Sequence, residues 1–206
     1  MKNIKFRLTV MNFLEFAVWG AYLTSMGAYL GSKGMAEHIG WFYSIQGIVS
    51  LFMPALMGIV ADRWIPAQKA LSLCHALAGT FMIATGLYGI SSGDDVQFTT
   101  LFSLYTASVA FFMPTLALSN SVAYTALTQA NLDTVKAFPP IRVLGTVGFI
   151  VTMWIVDLCG FQATPNQFVV SGALSIVLAA YSLTLPHCSV KRNLGKKSWV
   201  ESLGLE

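Results

Sequence analysis

The chain reads as long apolar runs parted by short polar ones. Runs at roughly 6–30, 39–61, 70–90, 98–129, 142–160 and 166–186 are each long enough to carry a helix through a hydrocarbon layer about 30 Å thick. Between them stand Gly31-Ser32-Lys33-Gly34, Asp62-Arg63-Trp64-Ile65-Pro66, Ser91-Ser92-Gly93-Asp94-Asp95, Phe138-Pro139-Pro140 and Thr164-Pro165-Asn166, where glycine, proline and charge stop or start helices. The runs do not alternate with period two, which excludes a membrane barrel. The pattern predicts an all-α polytopic membrane protein: a six-transmembrane-helix bundle over residues 1–186, with 187–206 opening a cytoplasmic linker. The first run is too long for the apolar stretch of a signal peptide and is read as a retained helix.

Composition agrees. Of 206 residues, 55% are hydrophobic and 10% charged, against about 25% charged in soluble domains, and the mean hydropathy is +0.66. The 12 Lys and Arg residues slightly outnumber the 9 Asp and Glu residues, and their placement speaks to orientation. With the N-terminus in the cytoplasm, Lys2, Lys5, Arg7, Arg63, Lys69, Lys136, Arg142, Lys191, Arg192, Lys196 and Lys197 fall inside and only Lys33 outside. Six crossings return the C-terminus to the same side, so both ends are expected in the cytoplasm of a cell bearing the chain in its inner membrane. The basic tail reads as an inner-leaflet anchor rather than a nucleic-acid site.

Polar groups inside apolar runs are the candidates for function, because a bilayer penalises them unless they meet a partner or a wet cavity. Glu15 lies in the first run with Trp19 and Tyr22 at i+4 and i+7. Two readings are open: a protonated carboxyl packed against a neighbouring helix, or a proton-coupling or substrate-contacting group. Arg142, Thr146 and Phe149 share a face of the fifth run, where cation, hydroxyl and ring suit a flat polar solute; alternatively Arg142 snorkels to the headgroups. Gln46 in the second run and Asn120 and Tyr124 in the fourth line either a cavity or a helix contact. Gly58, Asp62 and Arg63 end the second run as a conformational latch or a plain turn.

Other features are expected to be inert. Gly27 and Gly31 have a small-residue spacing common in any bundle. His75 and His187 have no metal-ligand partner at helical spacing, and Cys74, Cys159 and Cys188 form no disulfide or zinc pattern. Phosphate-cradling Gly-rich loops with Lys, HExxH, GxSxG and paired carboxylates with a plausible polar cleft do not occur. Neither an enzyme activity nor a metal or other cofactor is expected.

The loop Asp62-Arg63 after the second of six spans resembles the N-terminal half of a major facilitator superfamily transporter, a three-plus-three helix repeat. More closely, the chain is similar to the nucleoside:proton symporters, the bacterial nucleoside permeases. The residues that carry the likeness are Trp19-Gly20 with Leu23-Thr24, Phe52-Met53-Pro54-Ala55-Leu56 with Gly58-Ile59-Val60-Ala61-Asp62, and Met113-Pro114-Thr115-Leu116. To these add Phe138-Pro139-Pro140-Ile141-Arg142 through Gly145-Thr146-Val147-Gly148-Phe149, and Thr184-Leu185-Pro186-His187. The resemblance implies proton-driven nucleoside uptake by alternating access, with Arg142, Thr146 and Phe149 as substrate contacts. Glu15 is outside that carry-over, since the family's best-known member carries an amide there. A carrier of another small polar solute, such as a sugar or organic anion, or a membrane interaction module remains the alternative. The family has twelve helices, so the expected partners are a nucleoside, a proton, the lipid bilayer, and either a missing six-helix C-terminal half or a second copy. A fragment is the favoured explanation over a split transporter or a homodimer.

Overall fold

A computed structural model describes residues 3–188, and its helices are α1 (Ile4–Gly20), α2 (Met26–Ser32), α3 (Ile39–Arg63), α4 (Ala67–Ser92), α5 (Phe98–Gln129), α6 (Thr134–Leu158) and α7 (Asn166–Ser182). A short 3-10 turn at Ala36–His38 leads into α3. Their ends follow local chemistry. Asp133 starts α6 by accepting the backbone N–H groups of Val135 at 3.0 Å and Lys136 at 3.4 Å. Pro66 precedes α4, and Gly93, with φ of 56°, follows it in a region that penalises a side chain.

Hydrogen bonds at the two ends of the bundle identify which helix ends are neighbours. At one end Arg7 donates to the Thr184 carbonyl, the Tyr181 hydroxyl donates to the Arg7 carbonyl at 3.1 Å, and the Gln129 amide donates to the His187 carbonyl at 3.0 Å. At the other end Lys33 meets Asp94 at 2.7 Å, and the Gln97 N–H donates to the Tyr88 hydroxyl at 3.1 Å. The described residues therefore run from end to end six times, α1 and α2 in series making the first crossing. The helices α3 to α6 are long and apolar enough to span a bilayer by themselves. The helix α7 has 17 residues, at the short limit of about 17–25 for a span.

The expected proline boundary is not where the fifth crossing begins. Pro139 and Pro140 lie inside α6, so Arg142 stands two turns within the helix rather than at its opening. The prolines are tolerated because the carbonyls they leave without donors belong to Val135 and Lys136, both on the exposed first turn.

Packing follows a two-fold scheme. The main pairs are α4 with α7, α1 with α6, α3 with α5, α4 with α5, and α1 with α7. Exchanging the first three crossings for the last three turns α1·α6 into α5·α3, turns α4·α5 into α7·α1, and leaves α4·α7 unchanged, as a three-plus-three repeat requires. Pro54 in α3 and Pro114 in α5 are not equivalent under that exchange, so the recurring Phe-Met-Pro is an echo without symmetry.

Two of these seams are closed by glycine. A Cβ on Gly148 would meet the Phe13 carbonyl, its carbon at 2.9 Å and its oxygen closer still, and one on Gly145 would lie 2.7 Å from the Phe16 ring. Across α4·α7, a Cβ on Gly79 would come within 2.9 Å of the Gly172 carbonyl. Seryl hydroxyls staple the same region: Ser72 donates to the Ala179 carbonyl at 2.8 Å and Ser171 to the Val18 carbonyl at 2.7 Å. The glycines singled out by sequence spacing do otherwise: nothing lies within 4 Å of a Cβ on Gly31 or Gly58.

The core has an aliphatic half around Leu8, Leu71, Val122 and Leu178, near the end where Arg7 meets Thr184. An aromatic half surrounds Tyr22, Tyr29, Phe42, Tyr105 and Phe168. The helices α3 and α6 are the least covered of the four long spans. The linker expected over 187–206 falls, from residue 189 onward, outside the described residues, as do Lys2 and the tail bases.

Candidate functional site

The face of α6 next to its glycine seam carries Arg142, Thr146 and Phe149. Arg142 sits about 12 Å along the helix from Thr134, at 1.5 Å per residue. Because Gly145 and Gly148 bring α6 against α1, the Arg142 guanidinium carbon lies 3.9 Å from the centroid of the Phe16 ring, a cation–π contact. A guanidinium lying on a ring still directs its N–H edge outward, where it can grip an oxygen with two donors.

The same seam assembles an aromatic row. Phe16 neighbours Trp19 with centroids 6.3 Å apart, and Trp19 meets Phe149 edge-on at 6.4 Å and 89°. The Trp19 indole N–H donates to Gln46 Oε1 at 3.1 Å, which fixes the ring against α3. Arg142, Phe16, Trp19 and Phe149 are half-buried, and Thr146 is exposed one turn along. Four of the residues expected from sequence, Arg142, Phe149, Trp19 and Gln46, are thus joined through Phe16, which sequence reading passed over. Tyr124 is exposed on α5 and packs on Phe138, one turn before Arg142, at 4.5 Å. Asn120 is half-buried one turn before Tyr124.

Tyr22 and Glu15 do not join this face. The Tyr22 ring is enclosed by Tyr105 at 5.9 Å and Phe168 at 6.3 Å, so it borders no open space. Glu15 is 0% exposed and meets partners on two other helices: its Oε2 lies 2.9 Å from His75 Nε2 and its Oε1 2.6 Å from the Thr115 hydroxyl. His75 in turn meets Ser175 at 2.9 Å through Nδ1. The partner of Glu15 was invisible to a search for helical spacing because it stands 60 residues away on another crossing. Depth was the available signal, since α1 and α4 start at the same end and both residues lie mid-helix. At the end of α3, Asp62 is exposed and Gly58 faces open space, so the close helix approach expected of that glycine is not made.

Comparison with known proteins matches this architecture throughout. The family described as Nucleoside H+ symporter matches residues 1–206. The chain is 38% identical to the nucleoside permease NupG of Escherichia coli (strain K12) over 209 residues, covering 99% of this chain and 48% of that protein. It is 41% identical to the xanthosine permease of the same organism over 207 residues, again covering 99% of this chain and 48% of the relative. A solved structure of a mutant of the nucleoside transporter NupG superposes with a TM-score of 0.91 at 37% identity, over 98% of this chain and 49% of that one. The chain therefore spans about half the length of the curated relatives it matches. Whole-length agreement in sequence and in helix arrangement leads to one assignment: the chain is a multi-pass membrane protein and belongs to the nucleoside H+ symporter family, a family of transporters and not of enzymes.

Proposed function

We propose that this chain is the N-terminal six-helix half of a proton-coupled nucleoside carrier that works by alternating access in the cytoplasmic membrane, with both termini inside. The observation that carries the reading is the Arg142–Phe16–Trp19–Phe149 assembly, a cation and three rings gathered on a face that the bundle's own packing leaves open. In this reading Arg142 and Thr146 bond the oxygens of the nucleoside, Phe149 and Trp19 border its ring, and Gln46 holds Trp19. Asn120 and Tyr124 line the same path towards the cytoplasm, and Gly58, Asp62 and Arg63 act as the latch at its inner mouth. A second six-helix half completes the cavity.

Uptake of labelled uridine, adenosine and xanthosine tests this in cells that lack nucleoside permeases and express the chain together with the second half of a relative. Accumulation that collapses with the proton gradient and is lost in Arg142→Ala, at equal membrane abundance, is the expected result. Competition by sugars or organic acids in place of nucleosides would reassign the solute. A stoichiometric partner without any uptake would make the chain an interaction module.

A further inference from the structure

Glu15 and His75 are the only acid and the only base buried among the described residues, and neither belongs to the open face. Their hydrogens can be counted. Ser175 has a single hydroxyl hydrogen and donates it across the seam to the His75 carbonyl at 2.9 Å. Its oxygen must therefore accept from His75, so Nδ1, 2.9 Å away, carries a proton. Nε2 then faces Glu15 Oε2 at 2.9 Å, a separation that requires one proton between two lone-pair atoms. The Thr115 hydroxyl lies 2.6 Å from both Glu15 Oε1 and the Phe112 carbonyl and donates its one hydrogen between them.

The proton between the two groups sits on carboxyl or on imidazole, and the pair is neutral either way. A further proton would leave a net positive charge in a space closed to water, and its removal a net negative one, and buried unpaired charge is strongly disfavoured. The side chains one turn along each helix, Asn12 on α1, Ser119 on α5 and Ser171 on α7, and Cys74 beside His75 on α4, are not acids or bases of opposite sign that could offset either charge. The cluster also touches the open face through rings, since Phe112 meets His75 at 6.1 Å and Trp19 at 6.2 Å.

We propose that Glu15 and His75 form a one-proton site, neutral as a pair, that fastens α1, α4, α5 and α7 and positions Trp19 without handing its proton on. The positioning part rests on the reading of the open face given above; the proton count does not. Nuclear magnetic resonance of the full chain in lipid nanodiscs, labelled with 15N at its three histidines, reads the ring directly. The signal lost in His75→Asn is expected to show protonated Nδ1, as the Ser175 hydrogen count requires. A bare Nδ1, or no proton between Nε2 and the Glu15 carboxyl, would overturn the proposal. Should His75→Asn fail to fold, Glu15→Gln identifies the signal instead, because its amide N–H donates to Nε2, so that Nδ1 stays protonated while the resonance shifts.

Uptake in the paired-halves assay then separates positioning from transfer. Glu15→Ala is expected to raise KM several-fold with kcat little changed, and Glu15→Gln to restore it. If Glu15→Gln abolishes proton-driven accumulation while sparing nucleoside exchange, the pair passes its proton on and the proposal fails. If the unmutated chain gives no uptake at all, the functional reading fails while the histidine spectra still decide the proton count.

Discussion

The glycine seam between α1 and α6 makes a quantitative prediction. In Gly148→Ala the new methyl carbon would stand 2.9 Å from the Phe13 carbonyl carbon and 3.1 Å from its Cα, whereas carbons in contact sit about 3.5–4.0 Å apart. The obstacle is backbone, which has no rotamer to change, so the helices must part by roughly 1 Å. Overpacking of this kind costs about 1–3 kcal/mol, and the helix propensity gained on replacing glycine offsets about 1 kcal/mol of it. Because the obstacle is backbone, the cost falls in the upper part of that range, about 2–3 kcal/mol, and a net loss of roughly 1–2 kcal/mol remains. Heat-induced unfolding of the purified chain in detergent measures it, with Gly47→Ala in α3 as control, because nothing lies within 4 Å of a Cβ there. Gly148→Ala should melt below the unmodified chain and Gly47→Ala at or above it. A Gly148→Ala protein at least as stable as the unmodified chain would refute the claim that carbonyl-to-glycine contact sets the helix spacing.

Three further outcomes follow from other regions. Arg142→Lys should fail to restore the uptake lost in Arg142→Ala, since an ammonium does not present a two-pronged donor edge; kinetics of both variants at matched membrane abundance check this. Cys159 is exposed at the end that carries Lys33 and Asp94, while Cys74 and Cys188 are buried, so a membrane-impermeant maleimide added to intact cells should label the chain and Cys159→Ser should abolish labelling. Absence of labelling until the membrane is permeabilised would reverse the assigned orientation. The Lys33 ammonium bonds Asp94 and holds its carboxyl below the usual range. That contribution is full above the unfolded carboxyl value of about 3.9 and fades as the pH falls through the lower folded one. The melting difference between the unmodified chain and Asp94→Asn should therefore vanish in strong acid and shrink with salt.

What the sequence disclosed and what it hid divide on physical grounds. Crossings are legible because each is a continuous local run, and the basic residues outside the membrane are read by sign alone. The start of α6 was misplaced because Pro139-Pro140 breaks hydrogen bonds only on paper: the two freed carbonyls are on an exposed turn, a fact of tertiary position. The glycines that matter were hidden for a related reason, since Gly145 and Gly148 are important through what stands opposite, and Gly58 with its conspicuous setting faces nothing. Arg142, Thr146 and Phe149 could be grouped from sequence because they share one helix. His75 was not, because its significance depends on an acid two crossings away.

The pseudo-symmetric seams are not fastened alike. Where α1 meets α6, main chain lies on main chain; where α3 meets α5, Phe42 rests on Phe102 and Tyr105 through ring contacts, which a side-chain rotation can re-form after a small slip. A tilt imposed from outside would accordingly be absorbed by α3 and relayed undiminished by α6. The bundle thus has one compliant margin and one stiff margin, although its topology treats the two as twins.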